Sequence, residues 1–165
     1  YRRNIMATVI NVTAGSQAVL YLGSDAATAT PGDTDEMFVP HLNDITVNAA
    51  TGVVRYKVLD SASEKAFTNP STNQITVNAL VDKEVFFGGG TGANTVKNTG
   101  LFATSNAKTR VHFTVLFEGS DSSDVKLTGS GFISGLAPTA SMDAAVWVTP
   151  VTIEVDGDFT QGAVS

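Results

Sequence analysis

The chain holds two imidazoles, His41 and His112, and histidine is the side chain best suited to acid–base work near neutral pH. A nucleophilic Ser would need such a base beside it and a sharp turn, written G-x-S-x-G, to present its hydroxyl. No Ser here has that frame. The Gly-rich run "GGGTGANTVKNTG", residues 88–100, offers backbone N–H groups to a phosphate. It lacks the Lys-Ser/Thr of a P-loop, does not match G-x-G-x-x-G, and no helical pattern follows it. It reads as a flexible loop. Carboxylates cluster in "DTDE" (Asp33, Asp35, Glu36), "DSSD" (Asp121, Asp124) and "DGD" (Asp156, Asp158). Calcium takes several such oxygens, but none of these clusters has the EF-hand spacing, so they read as solvated turn residues. With no cysteine there is neither a disulfide framework nor a Cys-based metal site. Trp147, between Val146 and Val148, reads as a core or interface aromatic. The sequon Asn11-Val12-Thr13 falls in an expected strand, and one such match is expected by chance. The residues therefore predict no enzyme, no metal and no cofactor.

What remains is a scaffold. A chain of 165 residues is the size of one domain. It is 42% hydrophobic and only 16% charged, well under the roughly 25% charge of ordinary soluble domains. Abundant Thr, Val, Ser, Asn and Gly suit pleated sheet, and low charge suits a surface covered by neighbours. The net charge of −6 gains nothing from counterion release on DNA. A surface that DNA must slide past without sticking would, however, want this sign. No apolar run approaches a membrane-spanning length, so no membrane partner is expected.

The chain divides into residues 1–6 as a non-native or flexible N-terminal extension, 7–160 as one β-sandwich domain, and 161–165 as a C-terminal tail. In the extension, Arg2-Arg3 can be encoded AGG-AGG, a ribosome-binding sequence, just upstream of Met6. We treat "YRRNI" as a translated ribosome-binding site, the alternatives being a cloning remnant or a genuine extension. A Tyr1–Ile5 peptide in mass spectra of the native protein would exclude the first.

Period-two alternation dominates from residue 7 onward. Strands are expected at 7–13, 17–22, 37–39 and 44–48, then in "TGVVRYKVLD", where Val54, Tyr56 and Val58 oppose Arg55 and Lys57. Ser61 with Glu64 three residues on matches a capping box, so one or two helical turns are expected there. Residues 74–87 read as a strand pair or one bent strand. "KTRVHFTVLFEG" is the strongest strand, with Val111, Phe113, Val115 and Phe117 on the apolar face opposite Arg110, His112, Thr114, Leu116 and Glu118. "DVKLTGSGFIS", "AAVWVT" and "VTIEVDG" complete the set. About nine or ten strands with one short helix predict an all-β sandwich or open barrel. "ITVNA" occurs at 45–49 and again at 75–79, through coincidence or an old hairpin duplication.

Gly129, Gly131, Phe132, Ile133 and Ser134, then Pro138 and Asp143, then Val151, Ile153, Val155 and Gly157 form a pattern that resembles the C-terminal half of the major tail tube proteins of long-tailed, siphovirus-like bacteriophages. Upstream, "AVLYLGSDAATATPGDTDEMFVPHLNDITV" is similar to the opening of that family, whereas residues 88–100 align to nothing in its pattern. The resemblance implies a β-sandwich with a short helix, self-assembling as stacked, hexameric rings. A hairpin of each subunit would join an inner barrel around a channel through which DNA passes without specific binding, and a long loop would reach the adjacent ring. Terminator, tape measure and distal tail proteins would be further partners, in a virion tail made in the bacterial cytoplasm. Within that picture Glu118, Glu154 and Asp156 are candidates to line the channel. Loops 24–36, 61–72 and 88–100, with Asp33, Asp35, Glu36, Gly88, Gly89 and Gly90, are candidate inter-subunit contacts. Competing readings are a capsid decoration protein or a strand-donating pilus subunit, and a carbohydrate-binding or hydrolytic sandwich. The last would want more exposed rings than Tyr1, Tyr21, Tyr56 and Trp147 supply.

Overall fold

The computed structural model describes residues 17–33, 36–39, 42–57, 59, 63–70, 72–89, 95–118, 125–141 and 144–163. Strand and helix order along the chain is β1 (Gln17–Gly23), β2 (Met37–Val39), β3 (Leu42–Ala50), β4 (Val53–Tyr56), β5 (Lys65–Thr68), β6 (Thr72–Leu80), α1 (Lys83–Phe87), α2 (Val96–Asn106), β7 (Arg110–Glu118), β8 (Val125–Leu136), β9 (Thr139–Ser141), β10 (Ala144–Val155) and β11 (Thr160–Ala163). The expected all-β architecture is present: one nine-stranded antiparallel sheet, a separate two-stranded sheet and two short helices. The expected strand at 7–13, the sequon, His41, Asp35, Gly90, Asp121, Asp124 and Asp143 lie outside the described residues.

The main sheet runs β2-β1-β7-β8-β10-β6-β3, with β9 and β11 added to β10 and β8. It curls enough for β3 to approach β1, and the concave side holds the core. Alternation decides which side chains go there. In β6, Asn73, Ile75, Val77 and Ala79 are buried while Thr72, Gln74, Thr76 and Asn78 are not. Leu20, Leu22, Val111, Phe113, Val115, Ile133, Val151 and Ile153 join them, and Val96 and Leu101 of α2 close the layer. Phe113 needs room, and Gly129 opposite it in register supplies the space: a Cβ there would sit 2.6 Å from the Phe113 ring. Phe159, in the short excursion between β10 and β11, packs edge-on to the same ring at 6.0 Å.

Four expectations fail on local grounds. The capping-box helix is absent over Lys65–Thr68, which pair instead with Val53–Tyr56 as β5 and β4; Ser61 itself is outside the described residues. A cap contributes only about 1 kcal/mol, and cross-strand packing of Tyr56 against Phe67, ring centroids 5.9 Å apart, opposes it. Residues 74–87 are not continuous strand, because Asp82 stops β6. Its side chain accepts from the Glu84 and Val85 N–H groups (2.9 and 3.2 Å) and starts α1. A helix also follows the Gly-rich run: Thr95 accepts from the Asn98 N–H and opens α2. Gly88 and Gly100, both with positive φ (88° and 83°), let α1 and α2 touch backbone to backbone. A Cβ on either would lie 2.2–2.4 Å from the other segment. The face of β7 opposite Val111, Phe113 and Val115 is also covered at its centre, since Thr114 (2% exposed) and Leu116 (5%) are buried. The 24–30 turn folds back onto Gly23, the register partner of His112, and shares a cavity wall with His112 and Thr114.

Candidate functional site

The convex side of β3, β6 and β10 is polar over three rows and gives way to the apolar pair Leu80 and Val148 beyond them. Register places Asp44, Asn78 and Pro150 in one row, Thr46, Thr76 and Thr152 in the next, and Asn48, Gln74, Glu154, Phe132 and Arg110 in a third. The two "ITVNA" pentapeptides are responsible for much of it. They pair antiparallel across one hairpin, with Thr46 opposite Thr76 and Val47 opposite Ile75. Each copy thereby sends its Ile and Val to the core and its Thr outward.

Side-chain hydrogen bonds stitch the rows. The Asn78 amide donates to both Asp44 carboxylate oxygens at 2.9 Å. Gln74 Nε2 donates to Glu154 Oε1 at 2.7 Å, and the Ser134 hydroxyl reaches the same oxygen at 3.2 Å. β3, β6 and β10 contain no Lys, Arg or His, so the carboxylates of Asp44 and Glu154 meet no basic residue on these three strands; Arg110, at the β7 end of the third row, pairs with Asp156. Such a face repels phosphates while its amides and hydroxyls stay hydrated. Among the described residues no group of three His, Asp or Glu side chains could hold a metal.

The three carboxylates singled out from the sequence are thus separated. Glu154 sits on this face. Asp156, exposed just past the end of β10, accepts from Arg110 in the only ion pair among the described residues. Glu118 is the last residue of β7, and its side chain is outside the described set. It lies eight positions beyond Arg110, roughly 26 Å along the strand at about 3.3 Å per residue, so it does not share a site with the other two. Asp44, Thr46, Asn48, Gln74, Thr76 and Asn78 were not singled out. Their signal was in plain view as the repeated pentapeptide, whose polar positions acquire meaning only once the two copies pair.

The candidate contact residues fall into two places. Asp33 donates its N–H to the Thr30 carbonyl. Glu36 accepts from the Gly32 N–H at 2.7 Å. Glu36 and Gly89 wall one cavity of about 330 Å³, together with Met37, Phe38, Glu84, Val85, Lys97 and Asn98. Gly88 caps α1. A second, polar trough of about 460 Å³ holds His112, Lys126, Asp156 and Asp158 beside the 24–30 turn. There Asp25 accepts from the Thr28 N–H and hydroxyl (2.8 and 3.0 Å). These bonds hold its carboxyl below the usual range, with a small contribution from nearby His112. Trp147 is half-exposed and therefore not a core residue. No described helix is long and apolar enough to cross a membrane.

The fold and this face define a class: a curled, mostly antiparallel sheet with a helical layer on the core side and an uncharged-to-acidic polar surface on the other. No protein-family model and no curated protein matches the chain. Among solved structures it is similar to the tail of an empty GTA particle with C6 symmetry, at TM-score 0.59 and 11% identity, covering 87% of this chain and 96% of that one. It is also similar to the sheath/tube terminator of PVC, an extracellular contractile injection system, at TM-score 0.57 and 14% identity, covering 95% and 100%. At these identities the likeness is one of fold.

Proposed function

We propose that the chain is a structural subunit of a phage-type tail tube, assembling with copies of itself into stacked hexameric rings around a channel for DNA. The observation that carries this is the β3-β6-β10 face, three adjacent strands without a single basic residue, polar in its three central rows and bounded by β3, the edge strand of the sheet among the described residues. Closing such sheets side by side into a ring removes exposed edges and turns the face into a channel wall. Glu154 and Asp44 would then face passing phosphates, with Asp156 and Glu118 nearer the rims. Asp33, Glu36, Gly88 and Gly89 would belong to the contacts between subunits. The fold shared with a tail of C6 symmetry supports the same reading. The product would reside in the virion tail after synthesis in the host cytoplasm, with terminator, tape measure and distal tail proteins as partners.

The equal likeness to a sheath/tube terminator, which this chain covers end to end, favours a second reading as the cap of such a tube. Negative-stain electron microscopy of the purified protein separates the two. Hollow tubes with six-fold cross-sections are expected of a tube subunit, and single rings that do not stack are expected of a terminator. Monomers at all concentrations would overturn both.

A further inference from the structure

The β3–β6 hairpin does not end where the main sheet ends. It continues through Gly52 and Asn69, bonded N–H to carbonyl at 2.8 Å, into the β4–β5 arm. Every residue of that arm is exposed. Register puts Val54, Tyr56, Lys65 and Phe67 on one side of it, and Leu59 near its end is fully exposed. A lone two-stranded sheet is marginal in water, and one that displays two aromatic rings and three aliphatic side chains is built to be covered.

Charge says by what. Residues 51–71 carry Arg55, Lys57 and Lys65 against Asp60 and Glu64, a net +1 in a chain of net −6; the remainder of the chain is at −7. The cavity between β2 and the helices is lined by apolar Met37, Phe38 and Val85 together with Glu36 and Glu84 and, among its lining residues, the one cation Lys97. At about 330 Å³ it has room for aromatic side chains of the kind the arm presents. We infer that the arm's aromatic side docks in this cavity on a second copy of the chain, with Lys65 meeting Glu84. The inference rests on the tube reading only in requiring that copies self-associate; it specifies which surface receives the arm.

The chain has no native cysteine, so single thiols report contacts without background. Val54→Cys and Lys97→Cys chains, each with a different size tag, are mixed and treated with a short bismaleimide. A hetero-crosslinked dimer is expected, reduced about ten-fold by Lys65→Glu or by Glu84→Lys alone and restored when both are present. Circular dichroism checks that these exposed substitutions leave the fold intact. Crosslinking of Val54→Cys chains to one another only would show arm pairing with arm and overturn the inference. So would absence of the hetero-dimer, including the case in which residues 1–16 fill the cavity in the same chain. A hetero-dimer from protein that forms neither tubes nor rings upholds the docking and sinks the tube reading.

Discussion

One hairpin of this protein is two different things along its length. Near the base, β3 and β6 sit in a nine-stranded sheet, bury Ile75, Val77 and Ala79 completely or nearly so, and align Thr46, Asn48, Thr76 and Asn78 outward. Past Gly52 and Asn69 the same two chain directions form β4 and β5, with the same antiparallel bonding, no third strand among the described residues, and every residue exposed. Backbone pairing is common to both halves. What separates them is a neighbour: β10 on one side of β6 and a helical layer over the core below. The hydrogen-bond ladder therefore does not decide which half is stable, since each bond adds only about 1 kcal/mol net. Apolar area removed from water decides it.

The widest test of that contrast sets Ile75→Ala against Phe67→Ala. The first opens a cavity in the core and is expected to cost about 2–5 kcal/mol in urea denaturation. The second, on the arm, is expected to change monomer stability by less than about 0.5 kcal/mol while abolishing assembly seen by sedimentation. Equal losses in stability would mean that the arm is packed in the monomer. Next comes Gly100→Ala, which tests whether the helical layer belongs to the same cooperative unit as the sheet. Its positive φ and the Gly88 backbone beneath it leave no space for a methyl, so about 2 kcal/mol is expected, visible as a lower Tm in a single transition. Separate transitions would make the helices an independent unit.

Asp82→Ala removes the cap where strand yields to helix, at an expected cost of about 1 kcal/mol, with loss of hydrogen-exchange protection confined to α1. The smallest effect belongs to Asp25. Its folded pKa lies below the unfolded one, so its contribution is full above the unfolded value and is lost as the pH falls through the folded value. Because the carboxyl is solvent-exposed, Asp25→Asn is expected to flatten the acid limb of the stability profile only slightly.

Much of this was legible in residue order. β7 shows in the alternation of Val111, Phe113, Val115 and Phe117, and most of these side chains are buried as the period requires. The Asp82 cap was legible too, as an acid two and three residues ahead of the N–H groups it accepts from, but it was hidden within an apolar run that matched a strand. The Ser61–Glu64 spacing misled for the converse reason: a local signal without a surface on which to bury a helix.

The sequence by itself determined the all-β class, the lack of metal-binding cysteine chemistry and the inward-facing Val111, Phe113 and Val115 of β7, because these follow from side-chain type and a period of two. Only the tertiary structure decided that the two copies of "ITVNA" face each other, that Glu118 stands far from Glu154, and that residues 53–68 project as an arm. Those facts depend on which strands become neighbours. Pairing is chosen by the burial of the whole sheet, an energy that no single segment carries.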